Sequence, residues 1–532
     1  MQSTSPRWFW SSLWICQVWA FLLFLPALAE LTTAYSRYIM FWSTSTLLVY
    51  LGSVCAVGLL LFGVGALIRK WKPDDFHALA GVGALGSLLF LIWALIHDWW
   101  KPGYQVISET PLIAVLTILI TVKLVQNNVG IENVARGLAK ASLIISPLVP
   151  IFWFNAFQYP TYTKQPTSTI EEVKAPVSEE KIPKENVYIF VFDGWSAKWT
   201  IPQGILRKDL PNLQRASQHF CTFTDGHSAS CHTSISLPRL LYQRKDAVVL
   251  HRGKPAFSSQ GQFKPMSEEP SIFQDAGQQG YRTYMVGWLH PYHVMLGDQA
   301  DYIHSTCFAH ALGRSPLEVL GSFYWRWAGR YFGPTVGKLI SCGKHHRENH
   351  AFLWQNRELL NQARAILSDP RPSGQFAVMH LPLPHFPYIF RADGTTRPKN
   401  GIYSSNRSNL AYEQIIHLDR IIGEFIDTLK KLGKYENSTI ILTSDHTQRW
   451  DPNLRQTARA YTHVPLFVKL PHQKNAQRID APFNAVHLFD LLRQAKSSPH
   501  FRDAGVADLV ESHDGNFKVD DREINMRVLS DK

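Results

Sequence analysis

The chain has 532 residues, 45% of them hydrophobic and 17 of them Trp, with a formal net charge of +12. That length allows more than one domain. The positive charge is not gathered into a compact basic cluster with interleaved aromatics, which argues against nucleic acid and for an anionic membrane surface or a phosphate-bearing substrate.

Up to residue 158 long apolar runs dominate the sequence. Five of them, 8–29, 38–68, 76–96, 111–125 and 139–157, approach the roughly 20 residues that a bilayer-crossing helix requires, so residues 1–158 read as a membrane domain with about five transmembrane helices. The fourth is short and carries Lys123 near its end, where a long basic side chain can snorkel to the interface. Arg69, Lys70 and Lys72 follow the second run, and Arg136 and Lys140 lie around the junction of the fourth and fifth, while the alternate loops hold little beyond Arg37 and Lys101. The bias of Lys and Arg toward cytoplasmic loops then puts the N-terminus in the cytoplasm. After five crossings everything past residue 158 lies on the periplasmic or extracellular side of the cytoplasmic membrane. Residues 159–185, rich in Pro, Thr, Lys and Glu without apolar periodicity, read as a tether.

Four of the six cysteines, Cys221, Cys231, Cys307 and Cys342, fall beyond the tether. An even count in an oxidising compartment permits two disulfides, and joining Cys221 to Cys231 and Cys307 to Cys342 is the simplest connectivity; buried thiols are the alternative.

Residues 186–532 read as one catalytic domain. The run 186–192 is continuously apolar and β-rich, the pattern of a parallel strand buried on both faces, and it ends in Asp193-Gly194. A helix begins near Leu210-Pro211, a short strand covers 220–223, and a helix over 234–242 follows Thr233. A further helix over 271–280 leads to a strand over 281–287, and 290–347 is weakly patterned, an insertion over the site. A helix over 361–367 and a strand over 375–379 run into His380-Leu381-Pro382-Leu383-Pro384-His385, a proline-stiffened loop. The amphipathic helix 411–432 stops at Gly433, and the strand 438–444 ends in Asp445-His446. The apolar run 463–468 begins with His463, and 486–492 closes the chain as a covering helix. The alternation implies an α/β sandwich with a mostly parallel central sheet behind the α-helical transmembrane domain.

Thr233 reads as a nucleophile, although taken alone it also suits the cap of the following helix. A threonine hydroxyl needs a base, a lowered pKa or a metal on its oxygen to attack at neutral pH. Acids at strand carboxyl ends stand where open α/β sheets bind ligands. Asp193, Thr233, Asp445 and His446 therefore form a candidate donor set for one divalent cation, with O and N atoms that suit Zn or Mn. Ser234 and Ser236 are fallback nucleophiles. His290, His293, His304, His345 and His346, in the weakly patterned stretch, read as surface histidines.

The succession Asn-Val-Tyr-Ile-Phe-Val-Phe-Asp-Gly, Thr-Ser-Ile-Ser-Leu-Pro, His-Leu-Pro-Leu-Pro-His-Phe-Pro-Tyr, Thr-Ser-Asp-His and Thr-His-Val-Pro resembles the sulfatase branch of the alkaline phosphatase superfamily. With its membrane domain, the whole chain is similar to the lipid A phosphoethanolamine transferases and the lipoteichoic-acid synthases. The resemblance implies that Thr233 takes a phospho-group from a phospholipid donor and passes it to an envelope glycan or lipid. It implies Asp193, Asp445 and His446 as metal ligands, and His463 as a contact to the phosphoryl oxygens or an aid to the leaving group, with His385 or His380 acting likewise. This chain departs in having Asp193 where the transferases usually place Glu, and Thr447-Gln448-Arg449 where they have Gly-Glu-Ser. A threonine cannot become the formylglycine of sulfatases. The rival expectations are a sulfatase-like hydrolase that uses water, a phosphodiesterase or sulfuric ester hydrolase, and a catalytically silent membrane protein of the same fold.

Overall fold

The computed structural model describes residues 6–28, 44–71, 140, 144, 146–158, 183, 185–251, 254–306, 319–321, 324, 351–397, 407–448, 457–497, 519–520 and 523. Two compact units emerge. The first comprises Met1–Thr163 with Ala309–Glu348, and the second comprises Lys164–Phe308 with Asn349–Lys532.

In the first unit the apolar runs fold as the helices α1 (Pro6–Leu28), α2 (Thr44–Trp71) and α3 (Leu148–Gln158). Among the described residues one stretch, Thr46–Trp71 in α2, is long and apolar enough to cross a membrane. Leu59, Leu60, Val64 and Leu67 point outward from it, and Arg69 and Lys70 close its last turn. That is the arrangement of an N-terminal anchor or signal helix. The runs 76–96 and 111–125 lie outside the described residues, as does nearly all of the tether. Tyr324, from the 290–347 stretch, belongs to this unit, its ring meeting Phe24 edge-on at 5.7 Å.

The second unit is built on an eight-stranded sheet. Its strands are β1 (Asn186–Phe192), β2 (Cys221–Phe223), β3 (Arg282–Trp288), β4 (Tyr302–Thr306), β5 (Gln375–Leu381), β6 (Ser438–Thr443), β7 (Leu466–Lys469) and β8 (Gln477–Ile479). They are ordered β8-β2-β7-β6-β1-β5-β3-β4. Five neighbouring strands, from β6 to β4, run parallel, and β7 is antiparallel to both β6 and β2. Every residue of β1, β3, β5 and β6 is buried, which is why the apolar residues within them do not alternate with polar ones.

Around the sheet lie α4 (Pro211–Ser217), α5 (Thr233–Tyr242), α6 (Arg407–Lys431), α7 (Leu488–Ser497) and a helix over 351–367. α6 buries Ile415, Leu418, Ile422, Phe425 and Leu429, and Phe425 stacks on Phe190 of β1 at 5.1 Å. A small antiparallel sheet of Ala247–His251, Lys254–Ser259 and Gln262–Pro265, not foreseen from the sequence, stands apart from the main sheet.

Candidate active site

Three adjacent parallel strands, β6, β1 and β5, deliver the reactive side chains. Val191 is level with Thr443 on one side and with His380 on the other. Side chains alternate along a strand with a period of two, so two steps on from Val191 and Thr443 bring Asp193 and Asp445 to the same height and the same face. Asp193 continues the ladder, its N–H donating to Leu381 O at 2.9 Å. Gly194, at φ +72°, then turns the chain back. A glycine takes that left-handed conformation without strain, and its N–H donates to Asp445 Oδ1 at 3.2 Å.

Asp193, Asp445 and His446 are all buried, and one donor atom from each lies within 4.8 Å of the others. His446 Nδ1 is 2.7 Å from Thr447 O. Only a protonated Nδ1 can donate to that carbonyl, which leaves Nε2 with its lone pair facing the site. Nε2 is 3.5 Å from Asp445 Oδ2, 3.6 Å from Asp193 Oδ1 and 3.1 Å from Thr233 Oγ1. Thr233 opens α5, and its hydroxyl also lies 3.4 Å from Asp193 Oδ2.

The electrostatics are those of a site made for a cation. Burial alone would raise the pKa of Asp193, but His385, His380 and His446 outweigh it and hold the carboxyl well below its usual range. Burial, and then the charge of Asp193, push Asp445 up to about 6. Asp193 Oδ1, Asp445 Oδ2 and His380 Nε2 are buried without a hydrogen-bond partner. Buried acceptors left unsatisfied are costly, and a divalent cation is the partner that satisfies two converging carboxylates and an imidazole together. The residues present therefore fit a metal ion.

The remaining histidines divide. His380 is fully buried, with Nε2 3.4 Å from Asp193 Oδ2 and Nδ1 2.8 Å from Tyr292 Oη. His385, partly exposed, has Nε2 3.9 Å from Asp193 Oδ1. His463 belongs to a further polar group: its Nε2 is 3.1 Å from Thr224 O, and its ring lies beside that of His227, whose Nε2 pairs with Asp225 at 2.8 Å. It leads into β7, which β6 separates from β1. Ser234 and Ser236 are buried farther along α5, with no polar contact to the Asp193 group among the described residues.

Two sequence expectations need correction. Cys221 and Cys231 carry thiols and are not bridged to each other. Cys221 Sγ, in β2, is 3.3 Å from Gln473 Nε2, while Cys231 Sγ is 3.9 Å from Ala458 O, so each is seated in its own polar surroundings. Cys307 and Cys342 lie outside the described residues. His290 is not a surface histidine: it is fully buried, and its Nε2 is 3.0 Å from Thr233 O. Burial lowers its pKa to about 3, so it stays neutral. His293 and His304 are half-buried, and His345 and His346 lie outside the described residues. His290 and Tyr292 sit in a segment without periodic pattern, where sequence offers no sign of them.

Residues 185–495 match the family model described as Sulfatase. Among solved structures, the chain is similar to Ps i-CgsB at 15% identity, covering 62% of this chain and 77% of that one with a TM-score of 0.41. It is also similar to a protein in the alkaline phosphatase superfamily from Vibrio parahaemolyticus, at 15% identity, 60% and 71% coverage and a TM-score of 0.34. The lipoteichoic acid synthase LtaP from Listeria monocytogenes is similar at 12% identity, 63% and 76% coverage and a TM-score of 0.34. No curated protein matches the chain.

Proposed function

The chain belongs to the sulfatase family of the alkaline phosphatase superfamily, and from that premise we propose that it is a membrane-anchored, metal-dependent phosphotransferase acting on phospholipid head groups. The observation that carries this reading is the Thr233 hydroxyl, held between His446 Nε2 and Asp193 Oδ2 beside two unsatisfied carboxylate oxygens. A Zn or Mn ion held by Asp193, Thr233, Asp445 and His446 would supply Lewis acidity, lowering the pKa of the hydroxyl and neutralising phosphoryl charge.

Thr233 Oγ1 attacks the phosphorus of a phosphodiester donor, phosphoethanolamine- or phosphoglycerol-bearing. The Oγ1 proton is lost to solvent, a P–O bond to Oγ1 forms and the bond to the diacylglycerol oxygen breaks. His385, which has solvent access, protonates the leaving alkoxide; its exposure favours it over the fully buried His380. A hydroxyl of an envelope glycan or lipid then attacks the phosphothreonine and releases Thr233. Five apolar crossings from a cytoplasmic N-terminus would hold this domain on the periplasmic or extracellular face, within reach of both lipids.

The test is intact mass spectrometry of the full chain and its Thr233→Ala variant in detergent, loaded with Mn2+ and incubated with phosphatidylethanolamine and phosphatidylglycerol. An adduct on wild type alone, with the mass of one head group, is expected. Free phosphorylated head group accumulating without any added acceptor would instead assign a hydrolase, and full turnover by Thr233→Ala would remove the nucleophile.

A further inference from the structure

The family match stops at residue 495, yet one residue that makes polar contacts behind the nucleophile, Glu523, lies beyond it. We infer that Glu523 is a positioning residue for Thr233, strapping the loop that leads into α5 and holding the start of that helix in place. The inference rests on the reading of Thr233 as nucleophile.

Thr233 is the first residue of α5, and the loop 228–232 sets where that first turn sits. His232 occupies the N-cap, but its side chain makes no capping hydrogen bond to the helix. His232 Nε2 instead lies 2.8 Å from the backbone carbonyl of Glu523, donating to it. Ser230 Oγ donates to Glu523 Oε2 at 2.7 Å. The same carboxylate meets Arg239 Nη1, 2.9 Å from Oε1 and 3.2 Å from Oε2. Arg239 stands on α5 itself and also donates from Nη1 to Ala229 O at 3.0 Å. Glu523 thus joins both sides of the nucleophile, the loop through Ser230 and His232 and the helix through Arg239.

The near end of the loop has other anchors. Ser228 N–H donates to Thr462 O at 2.9 Å, and Asn484 Nδ2 donates to Ser228 O at 2.9 Å. Those ties stop five residues short of Thr233; beyond them Cys231 Sγ lies 3.9 Å from Ala458 O, and His290 Nε2 meets Thr233 O. Between them and the helix, Glu523 contacts two of the intervening side chains, and Ser230, Arg239 and Glu523 are all at least nine-tenths buried. Buried charge-assisted contacts are the strong and directional ones. A shift of about 1 Å in a reacting group costs on the order of a hundredfold in rate.

The experiment compares Glu523→Ala, Glu523→Gln and the pair Arg239→Met with Glu523→Leu in the full chain. Two readouts are taken: amide hydrogen exchange over residues 228–236 in the metal-free protein, and turnover of bis(p-nitrophenyl) phosphate with Mn2+. Glu523→Ala should raise exchange across the loop and lower kcat about ten- to a hundredfold with KM little changed. Glu523→Gln, which keeps one acceptor oxygen for Ser230 and Arg239 to share, should restore part of both. The paired variant removes the unpaired charge, so it should melt near wild type yet keep the loosened loop and the low kcat. Wild-type exchange in either Glu523→Ala or the paired variant overturns the inference, because Glu523 would then do no more than neutralise Arg239. The exchange arm needs no substrate, so a wild type that forms no Thr233 adduct would sink the phosphotransfer reading, while exchange would still decide whether Glu523 holds the loop and the start of α5.

Discussion

Gly287 of β3 sits level with His380 of β5, and replacing it with alanine tests how the site is supported from behind. A Cβ at Gly287 would stand 2.2 Å from Tyr292 Cε2, 2.8 Å from Cζ and 2.9 Å from Met285 Cε. Carbon atoms rest at about 3.5–4.0 Å, so the ring has to retreat by more than about 1 Å. It has little room, since Tyr292 is fully buried, with the His290 and His380 rings packed edge-on at 5.5 and 6.4 Å. The Tyr292 hydroxyl is now 2.8 Å from His380 Nδ1. A retreat of that size carries it past the roughly 3.2 Å at which such bonds are good. Overpacking costs about 1–3 kcal/mol and the broken buried hydrogen bond about 1–3 kcal/mol, so Gly287→Ala should destabilise the domain by roughly 2–6 kcal/mol. Tyr292→Phe, which removes the hydroxyl without the clash, should cost only about 1 kcal/mol. Thermal melts of both variants in detergent, with Mn2+ affinity measured alongside, give the comparison. A Gly287→Ala protein that melts and binds metal like wild type would refute the packing argument.

Other outcomes follow from the same geometry. Asp445 titrates at about 6 in the metal-free site because burial and Asp193 favour its neutral form; a proton there competes with the ion. Mn2+ affinity should be flat above about pH 7 and fall about tenfold per unit below pH 6, and calorimetric titrations that show no such fall would contradict the shared carboxylate site. Asp445→Asn should abolish stoichiometric metal while leaving the domain folded, as metal analysis and circular dichroism would report. Asp419 on α6 accepts from the Asn212 and Leu213 N–H groups at the start of α4, at 3.1 and 2.7 Å. Asp419→Ala should therefore cost about 1–2 kcal/mol, read as a lowered melting temperature without change in metal affinity. Alkylation of the denatured, unreduced protein should label both Cys221 and Cys231; recovery of the two as one bridged peptide would overturn their assignment as thiols.

The legible parts of this fold are those where burial writes itself into consecutive residues. β1, β5 and β6 are covered on both faces, so each has an apolar stretch without alternation, and Asp193, His380 and Asp445 stand where those stretches give out. The site residues that escaped notice are held by contacts without local periodicity. His290 and Tyr292 follow β3 in a segment of mixed composition, and only the parallel pairing of β3 with β5 brings them behind Thr233 and His380. The lateral place of β7, which His463 precedes, was not legible either, because strand order is a matter of pairing partners and no residue in β7 encodes its distance from β1. The cysteine pairing rested on spacing, which counts residues and ignores where side chains point. Glu523 illustrates the longest reach: its partners Ser230 and Arg239 lie nearly three hundred positions earlier, and a lone Glu in a polar tail looks solvated.

The side-by-side ladder of β6, β1 and β5 also has a consequence for how such a protein diversifies. Asp193, His380 and Asp445 are placed by backbone pairing between neighbouring strands, whereas Thr233 and His385 stand outside those strands. One residue inserted in β1 would turn Asp193 to the opposite face, so the strands resist length change. The connections carry no such constraint: the pairings of β3 with β4 and with β5 hold their register although a long stretch of sequence separates β4 from β5. Chimeras that exchange that connection while keeping these three strands should therefore retain the grouping of Asp193, Asp445 and His446.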